Sequence, residues 1–287
     1  MSVPRTYGCE SARRRSFSIN GLTLSGLEWG APDRPPFLCL HGGAAHAHWF
    51  DAVGPALADR YHVIALDQRG HGESDWAPAS PEGKGYATAD FVGDLVALMD
   101  ALGWRRATVC GHSMGGHNAM ALSAWHPDRV AALIVVDSRP ALPPERLDQM
   151  HRRGRRGPWR HETLEAALKS FRLLPRETVA APELLEHLAR AGIAERDGRF
   201  LYRFDPATNG SRRPADVWPL LERIAAPTLV VRAEHSPVLP PPMLEEMTRR
   251  LRQVSVEVIA GAYHHLLLDQ PEAFTAALAR FLARQPA

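Results

Sequence analysis

Residues 107–122 read Ala107-Thr108-Val109-Cys110-Gly111-His112-Ser113-Met114-Gly115-Gly116-His117-Asn118-Ala119-Met120-Ala121-Leu122. A short apolar run leads into Gly-x-Ser-x-Gly, and a small-residue helical pattern leaves it. The triplet of fixed residues recurs by chance in long chains. Strand–turn–helix flanks are the context that turns it into a nucleophile elbow. The glycines have a mechanical part in this. A sharp strand-to-helix turn crowds the backbone, and residues without a Cβ leave room around a strained serine. The serine oxygen then stands at the top of a sheet, with the free N–H groups of the new helix beside it.

Composition bounds the rest. The chain has 287 residues, 45% hydrophobic and 23% charged, with a net charge of +2. A chain of this length can bury about 75% of its unfolded surface, so it needs no staples. The balanced charge gives no strong steering toward nucleic acid or an anionic membrane. Three cysteines make no disulfide framework. Cys39 and Cys110 sit in apolar runs and read as small core residues. Cys9 follows Gly8 with no apolar segment before it, which argues against a lipid anchor. No run is long enough to span a bilayer, and no signal-peptide stretch is seen. A cytoplasmic protein with a small-molecule substrate and no nucleic-acid or membrane partner is expected. Its oligomeric state is not legible.

Working outward from Ser113, apolar runs alternate with helical periodicity. Ser16–Ile19 and Leu22–Trp29 flank Asn20-Gly21, a two-residue hairpin signal. Phe37–Leu40 and Tyr61–Leu66 read as strands, with a helix over Trp49–Ala58 between them. Thr88 is a candidate N-cap for a helix that Gly103 ends. Val130–Val136, Pro227–Val231 and Val254–Ile259 read as further strands, with helices over Pro242–Leu251 and Pro271–Leu282. Continuous apolar strands alternating with helices mean a mostly parallel sheet covered on both faces. Residues 139–218 carry helical patterns, several prolines and clustered arginine. The expected division is 1–138 for the first part of the core, 139–218 for a helical cap, and 219–287 for the second part of the core.

The chain resembles an α/β-hydrolase. The resemblance rests on His41-Gly42-Gly43, the Asp67–Ser74 segment, the Ser113 elbow, and the loop Gly261-Ala262-Tyr263-His264-His265 followed by Asp269-Gln270-Pro271. It implies the family's fold and cap, and a Ser–His–acid site that needs no cofactor. Tyr263 stands where the family usually has glycine. The catalytic histidine falls at His264, with His265 as runner-up. The family most often carries its acid after the strand that here is Pro227–Val231. That loop reads Ala233-Glu234-His235-Ser236-Pro237, with Ser236 at the expected aspartate position and Glu234 two places early. A branch of the family places the acid after the preceding strand, where Asp137 lies. Asp137 is taken as the acid, and Glu234 stays open.

The expected chemistry is acyl transfer. Ser113 attacks, His264 moves the proton, and Asp137 holds the imidazole tautomer. The N–H groups of Gly43 and Met114 form the oxyanion hole. His41 braces the oxyanion loop, and the charges of Asp67, Arg69 and His71 fix loops. His46 and Trp49 are expected to line a substrate entrance, and His112 and His117 flank the elbow, with His112 taken as substrate-binding. His46 and His48 lack the following Asp-His of a dinuclear hydrolase motif, so no metal site is expected. The run Arg152-Arg153-Gly154-Arg155-Arg156 reads as solvated surface. Trp159, Phe171, Phe200, Tyr202, Phe204 and Trp218 are expected mostly to pack against the core, with some facing the cleft to roof an apolar pocket with few polar anchors. These features together point to a serine hydrolase of small or medium apolar carboxylic esters. A carbon–carbon bond hydrolase, a thioesterase, a lactonase and a ligand-binding receptor remain alternatives on the same scaffold.

Overall fold

The computed structural model describes residues 11–78 and 85–285; Gly8 and Cys9 lie outside them. The chain runs β1 (Arg13–Ile19), β2 (Leu22–Trp29), β3 (Pro36–Leu40), α1 (Val53–Leu57), β4 (His62–Leu66), α2 (Thr88–Ala101), β5 (Ala107–His112), α3 (Met114–Trp125) and β6 (Val130–Val136). It continues through α4 (Pro144–Gly154), β7 (Arg160–His161), α5 (Leu164–Ser170), α6 (Pro182–Ala191), β8 (Ile193–Arg196), β9 (Arg199–Tyr202) and α7 (Ala207–Gly210). The last part is β10 (Thr228–Ala233), α8 (Pro241–Arg250), β11 (Val254–Ile259), α9 (Leu266–Asp269) and α10 (Pro271–Leu282).

Eight strands form one sheet in the order β1-β2-β4-β3-β5-β6-β10-β11. Among the described residues of this sheet, only the β1–β2 and β2–β4 pairs are antiparallel. The six strands from β4 to β11 run parallel. Successive side chains of a strand point to opposite faces, and the central strands spend both faces on apolar packing. Phe37 and Cys39 join one core with Val63, Val231 and Phe274, while Leu38 and Leu40 join the other with Ile64, Leu98 and Met120. Cys39 and Cys110 are register partners on adjacent strands, both free thiols, and burial pushes both thiols up. No helix among the described residues is long and apolar enough to cross a membrane.

Three local expectations are corrected. The stretch Trp49–Ala58 is not one helix. It is a 3₁₀ turn over Ala47–Phe50 followed by α1. Pro55 lacks an N–H and its ring would clash with the carbonyl of the previous turn, so a helix starting at Trp49 cannot run through it. Thr88 is the first helical residue of α2, not its N-cap. Asp90 bonds back to the N–H of Ala87 at 2.7 Å, while the Thr88 hydroxyl receives the N–H of Ala215 at 2.9 Å. The segment between β6 and β10 is also not all helical. It holds a three-stranded antiparallel sheet, β7-β9-β8. Its hairpin turn is Asp197-Gly198, both at positive φ (52° and 68°), a turn signal that the sequence did carry.

The parallel strands end together at one edge. The loops after β3, β5, β6, β10 and β11 gather there, the usual place for a ligand crevice in an open α/β sheet.

Candidate active site

Ser113 sits between β5 and α3 with φ 51° and ψ −114°, a conformation that L-residues rarely adopt. The surroundings over-determine it. Its N–H bonds to the carbonyl of Val136 at 3.0 Å, and its own carbonyl accepts from Ser138 Oγ at 2.6 Å and from the His117 N–H at 3.0 Å. A Cβ at Gly111 would collide with the backbone of Gly115, and one at Gly115 with the carbonyls of Leu40 and His41. The two glycines of the motif are therefore required by close backbone approach.

His264, in the loop after β11, places Nε2 3.0 Å from Ser113 Oγ. Its Nδ1 lies 2.6 Å from Oδ2 of Asp137, at the end of β6. A carboxylate can only accept, so Nδ1 carries the proton and the Nε2 lone pair faces the serine. Asp137 itself has φ 43°. Its Oδ1 accepts the Ala233 N–H at 3.2 Å, and its Oδ2 accepts the hydroxyl of Ser236. Burial dominates both titrations. It raises the Asp137 carboxyl, against the pull of Ser236 and Ala233. It holds His264 well below the ordinary histidine range, helped by His265, Arg139 and Arg146. A neutral imidazole beside a serine hydroxyl is the state that can take a proton.

The geometry separates the residues left open above. His265 turns away and donates Nε2–H to the carbonyl of Pro175 at 2.9 Å. Glu234 is half-exposed and accepts the Gly261 N–H at 2.8 Å, which ties the turn after β11 without meeting His264.

Gly43, Ala44 and Met114 border the cavity above Ser113. Met114 is the first residue of α3, so its N–H has no acceptor within the helix. The loop of Gly43 is held by His41. Its Nε2 accepts the Gln68 N–H at 3.0 Å, which leaves Nδ1 protonated and donating to the Gly42 carbonyl at 2.7 Å. Gln68 is fixed in turn by Asn118 at 2.8 Å. Asp67 receives the Ala47 N–H, and Arg69 forks onto Asp94 through two bonds of 2.6 Å. These charges hold loops in place.

The cavity measures about 220 Å³. Of the three expected substrate contacts, only Trp49 lines it. His46 is not at the entrance: it is buried, with Nε2 donating to the Leu188 carbonyl of α6 at 3.0 Å. His112 is not in the cavity either. It lies beneath, stacks on Trp49 and donates Nε2–H to the His264 carbonyl at 3.0 Å. Strand alternation explains this, since His112 and Ser113 are successive residues and diverge. His117 does border the cavity.

The apolar roof is also corrected. Phe171 reaches the cavity, as do Leu142, Met150 and Leu173, but Trp159 is exposed and Tyr202 is spent on Ser170 and Ala167. Among the described residues five arginines line the space, Arg139, Arg146, Arg153, Arg172 and Arg212, and no carboxylate does. Arg146, Gln149, Met150 and Arg153 share one face of α4 at i, i+3, i+4 and i+7. That spacing was readable, but which face of α4 would look inward was not. Arg153 stays exposed, as expected of its run, while also bordering the cavity; nothing in the sequence singled out Arg212, and Ser236 stood out only as occupying the expected aspartate position.

The comparisons agree with this architecture. The family model described as "alpha/beta hydrolase fold" matches residues 35–271. The chain is 29% identical over 273 residues to a 2-(acetamidomethylene)succinate hydrolase of Mesorhizobium japonicum, covering 93% of this chain and 94% of that one. It is 28% identical over 256 residues to Esterase YbfF of Escherichia coli, covering 86% and 92%. The crystal structure of E-2-(acetamidomethylene)succinate hydrolase superposes with a TM-score of 0.82 at 28% identity, over 95% of this chain and 99% of that one. With its sheet order, its elbow and this match over most of its length, the chain belongs to the α/β-hydrolase fold family.

Proposed function

We propose that the protein is a serine hydrolase that cleaves small carboxylic esters through an acyl-enzyme. The observation that carries this is the unbroken relay from Ser113 Oγ to His264 Nε2 at 3.0 Å and from His264 Nδ1 to Asp137 Oδ2 at 2.6 Å. The likeness to Esterase YbfF supports ester cleavage as the reaction class.

In this reading His264 Nε2 accepts the Ser113 proton as Oγ bonds to the acyl carbon. The N–H groups of Gly43 and Met114 receive the developing oxyanion. His264 returns the proton to the leaving alkoxide, which departs as the alcohol. A water then loses its proton to His264, attacks the acyl-serine and releases the carboxylic acid. Ser113 regains the proton. Asp137 fixes the tautomer and stabilises the transient imidazolium without itself taking the proton. Residues 139–218 act as the cap that walls the cavity, and its small volume favours short acyl chains over long ones.

The test is hydrolysis of p-nitrophenyl esters from acetyl to dodecanoyl by the wild type and by Ser113→Ala. Turnover should peak at short chains and fall by about 10³-fold or more in the variant. Turnover no faster than that of Ser113→Ala across the panel would overturn the reading and favour carbon–carbon substrates or a binding role.

A further inference from the structure

Arg212 follows α7 and lies at the wall of the cavity that holds Ser113. It is 5% exposed. Its backbone is committed, with its carbonyl accepting from His151 Nε2 at 2.9 Å. Its side chain is not. Nε is buried without a hydrogen-bond partner, and among the described residues the guanidinium makes no ion pair. Burial pushes its pKa down to about 10, which leaves it cationic at neutral pH.

A buried charge without a partner is costly, and proteins otherwise pair or neutralise it. The neighbouring arginines differ. Arg139 spends NH2 on the Val238 carbonyl at 2.6 Å, and Arg172 spends NH1 on the carbonyls of Lys169 and Phe171. Arg146 and Arg153 border the cavity from α4 but are exposed, so water solvates them. Among the described residues Arg212 has no such carbonyl, and its Nε is closed off from water. Among the described residues the cavity lining holds no aspartate or glutamate that could close on it. Surrounding positive charge and low-dielectric walls concentrate an anion there. A guanidinium fork meets a carboxylate with two parallel N–H···O bonds, a geometry that a neutral ester cannot match in strength.

We propose that Arg212 binds a carboxylate carried by the substrate, so that the natural substrate is an ester of a small dicarboxylic acid. The substrate class rests on the serine-hydrolase reading above, whereas the anion subsite does not. The outer arginines Arg146 and Arg153 draw the anion toward the cavity, and Arg212 holds it while the second acyl group meets Ser113.

Two measurements test this. The first is calorimetric titration of the full-length protein with succinate and with its neutral dimethyl ester, the latter on Ser113→Ala so that nothing is cleaved. Succinate should bind at least about tenfold more tightly than the neutral compound, and Arg212→Met should lose about that factor. Arg212→Lys, which keeps charge without the fork, should fall between. The second measurement compares kcat/KM for p-nitrophenyl hemisuccinate and p-nitrophenyl butyrate. The wild type should favour the anionic ester about tenfold or more, and the ratio should collapse in Arg212→Met. Succinate bound by the wild type no more tightly than the neutral compound is bound by Ser113→Ala would overturn the proposal, and this result needs no Arg212 variant to fold. Arg212-dependent succinate binding with neither ester cleaved would keep the anion subsite and sink the serine-hydrolase reading instead.

Discussion

Ser236 donates its hydroxyl to Oδ2 of Asp137, the same oxygen that receives Nδ1–H of His264. The loop after β10 therefore supplies a hydrogen bond to a carboxylate that β6 presents. Burial raises the Asp137 carboxyl, and Ser236 is the foremost group opposing that rise.

Ser236→Ala should lower kcat by about tenfold, the scale of one hydrogen bond to a charged group. Loss of the hydroxyl raises the carboxyl further, so Asp137 becomes protonated at a higher pH. The acid limb of kcat should move up accordingly, a shift that a merely loosened loop would not produce. In an Asp137→Asn background the same change should have little further effect, as expected for two groups acting as one unit.

Asp137→Asn should lower kcat by about 10³–10⁴-fold, because the amide can hold the wrong imidazole tautomer. Glu234→Gln should leave kcat within about twofold, since exposed polar substitutions rarely matter. Steady-state kinetics on one short ester decides between the two acids. A large loss in Glu234→Gln with little in Asp137→Asn would refute the assignment.

A Cβ at Gly43 would meet nothing within 4 Å, so Gly43→Ala should be well tolerated. Gly43→Pro removes the N–H and should cost about 10²–10³-fold in kcat, the scale of one oxyanion donor. Equal activity of the two variants, with thermal melts matching the wild type, would remove Gly43 from that role.

The acid limb of kcat/KM should lie below the ordinary histidine value of about 6.5. His264 is held low mainly by burial, so its neutral, proton-accepting form persists as pH falls. Arg146 also lowers it, so Arg146→Ala should move the limb upward, most visibly at low salt. A limb that Arg146→Ala leaves unmoved at low salt would overturn this coupling.

Gly115→Ala should destabilise the fold by about 1–3 kcal/mol, the cost of forcing atoms into a packed site. The new Cβ would press on the backbone carbonyls of Leu40 and His41, which cannot swing aside. Thermal unfolding measures this directly.

Local pattern reaches as far as local physics does. The apolar runs, the Asn20-Gly21 turn and the Gly111–Gly115 elbow depend on neighbours in the chain, and they determined the sheet, its coverage and the position of the candidate nucleophile. Helix bounds such as Pro271–Leu282 and strand bounds such as Val130–Val136 were legible for the same reason. Other features depend on residues far apart in sequence. Only the tertiary structure decided that Asp137 rather than Glu234 meets His264, because that choice turns on how β6 and β10 end side by side. It also decided that His46 and His112 serve as braces while Arg153 and Arg212 look into the cavity. Burial and orientation set those outcomes. Arg212 looks like any other arginine of its segment in the sequence, and only the fold shows that its Nε is buried without a partner.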